Sequence, residues 1–325
     1  MKKQIVKLFL LKLKNIFHLD AENKAFRLYQ KKFFKYTFQV GVCNSFEQYE
    51  ASIIRLYHTI EKGMAYTNYR AGFGENNVNM LIDLMECYSK EYDITAFCYE
   101  TALSVLNAYI EKNAVFGHVD EKLNQRVAKL PGKPNDKGGI IQFKPFTYDQ
   151  LQSLNYEQLV VNRHSIRKFS DKPVDIDTLK EAIALAQYTP SACNRQGWKA
   201  RIVADKAAVK TVLSNQNGNK GFTEEIDKVI VVTSDLRCFN RDREIHQAFI
   251  DGGMYAMRIL DSLAFKNIAS IPLSASLTSE QEKNIRDLLD IHEAEEFILI
   301  IGVGNYPDLC QTTKSERKPV TIKTY

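Results

Sequence analysis

The chain has one tryptophan, Trp198, and no closely spaced cysteine pair. Its six cysteines (Cys43, Cys87, Cys98, Cys193, Cys238, Cys310) lie far apart, with no CxxC and none at zinc spacing from a histidine. That argues against a disulfide framework and a zinc module, and scattered reduced thiols fit a cytosolic protein. Six histidines (His18, His58, His118, His164, His246, His292) form no HxxxH or compact cluster, so no metal centre is expected. No Walker loop and no internal repeat is present. No run of 18 apolar residues exists, so no membrane-spanning helix is expected. Charge of neither sign prevails: 44 basic against 39 acidic residues leave +5 over 325 residues, which does not suggest nucleic acid.

What is present divides at a run rich in proline and glycine. Residues 1–36 read as basic helix, with Ile5, Phe9, Leu13 and Phe17 at four-residue spacing. Packing of this stripe on the body is favoured over membrane-surface contact through residues 1–17. Lys7, Lys12 and Lys14 interrupt the apolar run and no small-residue cleavage site follows, so secretion is not expected. Ser45 to Met64 reads as a helix with a Ser45/Gln48 capping box and one apolar face. Further helices are expected over 77–91, 95–112 and 121–130. Pro131 to Gly139 then breaks all periodicity and reads as the start of a linker, about 131–145. The division is a helical region, 1–145, and a second domain, 146–325.

The second part alternates. Helices are expected at 148–161, from a Thr178/Glu181 capping box up to Pro190, at 244–265, and from a Ser279/Glu282 capping box to 290. Strands are expected at 200–204, 228–233, 268–273 and 297–303. Gly252-Gly253 should let something approach the middle of the long helix. Gly302-Val303-Gly304 reads as a turn, because Pro307 stands where a dinucleotide fingerprint needs glycine. The pattern is α+β, a mixed sheet flanked by helices.

Two stretches carry chemistry. Val161-Asn162-Arg163-His164-Ser165-Ile166-Arg167-Lys168-Phe169 crowds cations and a hydroxyl at a helix exit, which suits a phosphate or a solvated basic turn. Pro190-Ser191-Ala192-Cys193-Asn194-Arg195-Gln196-Gly197-Trp198 ends a helix and offers amides that suit a ring edge of mixed donors and acceptors. Trp198 should anchor that loop in the core. Cys193 reads as a small filler residue rather than a redox thiol. His58-Thr59-Ile60-Glu61-Lys62 reads as a solvated helix face, with closure of a substrate pocket as the other reading.

Arg-His-Ser-x-Arg-x-Phe followed by Pro-Ser-x-x-Asn-x-Gln-x-Trp resembles the nitroreductase family of FMN-dependent flavoenzymes. The resemblance continues through Phe249 to Met257, Ser270 to Ser274, Ile300 to Pro307 and Lys314 to Pro319, covering roughly 150–325. It implies FMN in a groove at a homodimer interface. Arg163, His164, Ser165 and Arg167 would hold the phosphate end with Lys314, Ser315 and Arg317. Pro190, Ser191, Asn194 and Gln196 would address the ring, and Pro272, Leu273 and Ser274 would run along it. NADH or NADPH would reduce the flavin, which then reduces a small acceptor in a ping-pong cycle. A flavin-binding scaffold without turnover is the alternative. Gly197 stands where the family commonly has proline, and Ser274-Ala275 where it often has Asn or an acid before glycine.

Overall fold

A computed structural model describes residues 43–239 and 244–325 together with Phe26, Arg27 and Gln30. The apolar stripe from Ile5 to Phe17 lies outside the described residues. The helical region contains α1 (Phe46–Met64), α2 (Glu75–Tyr88), α3 (Phe97–Val115) and α4 (Glu121–Lys129). Helix α1 starts where the Ser45 hydroxyl accepts the Gln48 N–H at 3.4 Å. The Gln48 amide oxygen accepts the Asn44 N–H at 2.7 Å, one residue before the cap, so the Ser45/Gln48 motif is an offset capping box. Ile53, Leu56, Tyr57, Ile60 and Met64 are buried against Leu81, Ile82 and Met85 of α2 and Leu106 of α3. Each such side chain contributes roughly 1.5–3 kcal/mol by leaving water. Tyr88 stacks on Tyr99 with ring centroids 5.4 Å apart, and joins α2 to α3.

The expected linker is pinned to these helices. The Asn135 side-chain amide donates to Thr101 Oγ1 at 2.9 Å, and the Gly139 N–H donates to Glu61 Oε1 at 3.0 Å. It runs into β1 (Ile140–Phe143), which pairs antiparallel with the last strand, β6 (Cys310–Thr313). This two-stranded ladder joins the helical region to the chain's far end.

Between them lie α5 (Tyr148–Gln152), α6 (Tyr156–Asn162), α7 (Ile176–Ala186), β2 (Trp198–Val203), α8 (Lys206–Ser214), β3 (Lys228–Asp235), α9 (Gln247–Phe265), β4 (Ile268–Ser274), α10 (Ser279–Leu289) and β5 (Glu295–Asn305). The four long strands form one sheet in the order β2–β3–β5–β4, each pair antiparallel. A single parallel bridge, Ser165 to Ser270, makes it mixed at its edge. Strand β3 is buried along its whole length, as its Val-Ile-Val-Val run requires. Val229 and Val231 pack with α8 and α10, whereas Ile230 and Val232 pack with α7 and α9. The sheet is thus the middle layer of an α+β domain.

Several local expectations change. The 148–161 stretch is two helices, each with its own capping box, Thr147/Gln150 and Asn155/Gln158. Helix α7 is capped by Asp175, whose carboxylate accepts the Thr178 N–H at 2.8 Å, so Thr178 is already inside the helix. Helix α10 is boxed by Thr278 and Gln281, one residue earlier than expected. Aspartate and threonine both outcompete a later residue for the cap because their oxygens reach the N3 amide. Gly302-Val303-Gly304 is interior to β5 and makes no turn. A Cβ on Gly304 would lie 2.5 Å from the Phe169 ring, so this glycine makes room for the aromatic of the basic motif.

The two helix glycines differ. A Cβ on Gly252 would lie 2.6 Å from Ile298 of β5, whereas Gly253 has nothing within 4 Å. Gly252→Ala should destabilise the fold by about 1–3 kcal/mol through overpacking, measured by urea unfolding. Gly253→Ala should not destabilise an isolated chain, because it adds helix propensity in open space. Equal losses in the two variants would contradict this packing.

Candidate functional site

Helix α6 ends at Asn162, and residues 163–169 run extended along the sheet edge. Three bonds lock this run. The Ile166 N–H donates to Ser270 O at 3.0 Å, Thr312 Oγ1 donates to Ser165 O at 2.8 Å, and the Ser170 N–H donates to Asn305 O at 2.9 Å. Ile166 and Phe169 are buried. The run is therefore clamped between β4 and β6, and its polar side chains have a fixed origin.

Those side chains carry unbalanced positive charge. Arg163 Nη1 and Arg167 Nε are buried without a hydrogen-bond partner. Among the described residues the one bond from Arg167 to a side chain, Nη1 to Thr312 Oγ1, is at the 3.5 Å limit. Burial pulls both guanidinium pKa values down; Asp261 opposes this at Arg163, and Tyr66 and Glu61 oppose it at Arg167. His164 lies over Phe143 with ring centroids 4.9 Å apart. Burial first, then Arg163 and Arg317, hold its pKa below the ordinary imidazole value, so it is neutral at pH 7. A cavity of about 350 Å³ opens here, walled by Phe143, Phe146, Leu154, Tyr306, Arg163 and His164. A buried guanidinium without a carboxylate is costly, and an anion with several acceptor oxygens relieves that cost.

The C-terminal tail is brought to the same place. Arg317 bonds to Ser315 O, and its charge is felt at Arg163 and His164. Ser315 takes a positive φ of 48° and its hydroxyl pairs with Thr313 Oγ1 at 2.6 Å. Lys314 Nζ instead donates to Asp136 O at 2.7 Å, on the pinned connecting segment.

The second motif forms a tight loop elsewhere. Cys193, Asn194 and Gln196 all take positive φ, an uncommon run for side-chain-bearing residues. Gln196 Nε2 donates to Asn194 O at 2.8 Å, and its own N–H donates to Ser191 Oγ at 3.0 Å. The loop is tied down by a two-bond Arg195–Glu244 pair at 2.8 and 2.9 Å. The Ala192 N–H also donates to Asp251 Oδ2 at 3.0 Å. Trp198 stacks on Tyr255 at 4.8 Å and 9°, and anchors the loop in the core as expected. Gly197 faces Phe239, whose ring atoms lie 2.9 Å from where a Cβ would sit. Pro190, Asn194 and Gln196 are exposed, and Cys193 is exposed rather than packed as a filler.

The loop hangs on the first turns of α9 at Asp251, while Arg163 responds to Asp261 near its other end. Ten residues of helix separate these points by roughly 15 Å. Among the described residues no hydrogen bond or ion pair joins the loop to the cation cluster. Pro272, Leu273 and Ser274 follow the Ser165–Ser270 bridge along β4, Pro272 only two residues beyond it. Leu273 is buried, Ser274 exposed, and the Ser274 carbonyl accepts from Gln216 Nε2 at 2.9 Å. The structure thus brings Arg163, His164 and Arg317 together, sets Arg167 four residues further along the same extended run beside Tyr66 and Glu61, and leaves the amide loop as a separate surface. Asp251, Glu244 and Thr312 escaped the sequence reading. Asp251 sits in a stretch singled out for other reasons, and Thr312 gave no signal.

Among the described residues no group of metal-ligating side chains is assembled, and no helix is long and apolar enough to cross a membrane. Comparison with known proteins gives a match to the nitroreductase family over residues 160–215. A Streptococcus pyogenes protein named as an NAD(P)H nitroreductase is 35% identical over 92 residues, 28% of this chain and 46% of that protein. A Thermus thermophilus protein named NADH dehydrogenase is 33% identical over 86 residues, 26% of this chain and 42% of that protein. The matches thus span less than half the length of these relatives. A solved structure of an FMN-dependent nitroreductase from Clostridium difficile covers 50% of this chain and 90% of its own, at 20% identity and a TM-score of 0.41.

Asp251→Ala should free the loop, because the Ala192 N–H and Gln247 Nε2 both lose their acceptor. The cost is about 1–3 kcal/mol. Trp198, the only tryptophan, reports it: acrylamide quenching should rise in the variant. Unchanged quenching would mean the loop is held by other contacts.

Proposed function

We propose that this chain, which carries a nitroreductase-family segment at residues 160–215, is an FMN-dependent oxidoreductase. It uses NADH or NADPH to reduce a small organic acceptor of nitro, quinone or enone type, or one specific metabolite. The observation that carries this reading is the pair of buried, unpartnered guanidinium nitrogens on Arg163 and Arg167, inside the matched segment. Their donor set suits a phosphate monoester, which offers several acceptor oxygens and up to two negative charges. Arg163, Ser165 and Arg167 would hold that phosphate, with neutral His164 beside it and Lys314, Ser315 and Arg317 on the tail. Pro190, Ser191, Asn194 and Gln196 would meet the ring, and Pro272, Leu273 and Ser274 would border it. When bound, the flavin supplies the hydride chemistry; no side chain of this chain is asked to act as a nucleophile. The protein's tasks are to anchor, orient and shield.

A second copy of the chain is part of the proposal. Phe249, Ile250, Met254 and Met257 are exposed on α9, around Gly253. An isologous pairing of two such faces would cover this apolar surface. With the helices antiparallel, one copy's 190–197 loop comes beside the partner's cation cluster, which a single chain keeps apart. A cytoplasmic, homodimeric enzyme is the resulting reading. The non-catalytic alternative draws on Ser274-Ala275, which departs from the family pattern beside the ring; steady NAD(P)H consumption with a quinone or nitroaromatic acceptor rules it out.

Purified protein should be yellow or take up FMN on incubation; a chain that stays colourless overturns the reading. Arg163→Ala should weaken FMN about ten- to hundredfold, or ~1.5–3 kcal/mol, in a flavin-fluorescence titration. Unchanged affinity removes the phosphate assignment. Met254→Lys should shift the protein towards monomer in sedimentation and lower its flavin content; a stable dimer with full flavin content would place the interface elsewhere.

A further inference from the structure

Helix α1 lies outside the matched segment, yet it packs directly on the strand and tail that follow the proposed cofactor residues. Gln311 Nε2 of β6 donates to Ala65 O, just past α1, at 3.2 Å. Ser315 Oγ lies 3.4 Å from His58 Nδ1. Glu61, only 1% exposed, is not on the solvated face expected from sequence. One of its oxygens accepts the Gly139 N–H at 3.0 Å and the other lies 3.3 Å from His58 Nδ1.

The same helix carries a second cation. Lys62 is half-buried, and among the described residues no hydrogen bond or ion pair holds its ammonium. Burial above all lowers its pKa, and the positive charges of Arg167 and then Arg55 lower it further. Arg167 is itself buried with an unpartnered Nε. Glu61, the carboxylate whose charge reaches Arg167, already has both oxygens engaged. Arg55 and Lys62 are seven residues apart on α1, two turns along one face. Arg167 Nη1 reaches Thr312 Oγ1 at 3.5 Å, and Gln311 bonds to Ala65 just past α1, so Arg167 and the end of α1 border adjacent residues of β6. Arg55 is exposed, which leaves Lys62 and Arg167 as the two cations withdrawn from water there, against one committed carboxylate. Like charges brought together out of water repel strongly unless an anion comes between them.

We propose that Lys62 is a further ligand of the phosphate monoester held by Arg167, so that the N-terminal helical region takes part in cofactor loading. The inference rests on the FMN reading for the identity of the ligand and on the Lys62–Arg167 pair for the anion site itself. Lys62 lies on α1, outside the matched segment, so the site would draw on the helical region as well.

Full-length wild type, Lys62→Met and Lys62→Arg are titrated with FMN and with riboflavin, which lacks the phosphate. Lys62→Met should weaken FMN about tenfold, the loss of one charge-assisted bond, and leave riboflavin unchanged. Lys62→Arg should restore FMN binding. Equal weakening of both flavins, or no change in either, overturns the proposal. A parallel arm measures thermal stabilisation by inorganic phosphate. If wild type binds no flavin, the function reading fails and this arm decides: phosphate raising the Tm of wild type but not of Lys62→Met supports the anion site, and any other result overturns it. Lys62→Gln replaces the Met variant in both arms if that variant does not fold.

Discussion

The structure turns on how the 163–169 run is held. An arginine whose charged atoms are buried can persist only if its backbone cannot swing it back into water. Here Ile166 and Phe169 are buried, the Ile166 N–H bonds to β4, and Thr312 of β6 bonds back to Ser165. Ile166 is held by both its buried side chain and its N–H, with the Thr312 bond to Ser165 before it and the buried Phe169 ring after it, so the run between them is fixed. Gly304 belongs to the same device, because any side chain there would displace the Phe169 ring. The unpaired guanidinium nitrogens sit in a rigid frame whose partner is not supplied by the described residues.

That frame depends on both halves of the protein. Strand β6 is the tail's last regular element, and its ladder partner β1 emerges from the segment pinned to α1 and α3. Loosening the helical region would free β1, then β6, then Thr312 and the clamp on Ser165. The burial of Glu61 fits this chain of dependence. A carboxylate that is 1% exposed holds the Gly139 N–H immediately before β1. Losing it would leave a buried amide unsatisfied, at a cost of about 1–3 kcal/mol.

Much of this was legible in the sequence, and the reasons for success and failure are physical. The α+β order, the buried Val-Ile-Val-Val strand and the anchoring of Trp198 follow from periodicity and size. Boundaries at caps moved by one to three residues, because Ser, Thr and Asp compete for the same N–H groups and only the fold decides between them. The Thr147/Gln150 and Asn155/Gln158 boxes split one apparent helix into two. Strands β1 and β6, four residues each, were invisible because a short ladder far from its partner leaves no local pattern. The polar face at His58 and Glu61 was read as solvated because helix periodicity shows which residues share a face, not what covers it. At the candidate site, spacing put the cations of the 163–169 run in one stretch but gave no sign of which groups they face, and the amide loop lies at the other end of α9 from Asp261.

That separation bears on what a single chain can do. Asp251, which holds the loop, and Asp261, whose charge reaches Arg163, are roughly 15 Å apart along α9, so the two motifs of one chain do not lie side by side. One face of the same helix is exposed and apolar around a glycine with open space before it. In the homodimer proposed above, a two-fold axis through that face would reverse the helix direction in the partner and bring the loop end of one copy to the cation end of the other. Covering the apolar stripe and uniting the two motifs would then be the same event.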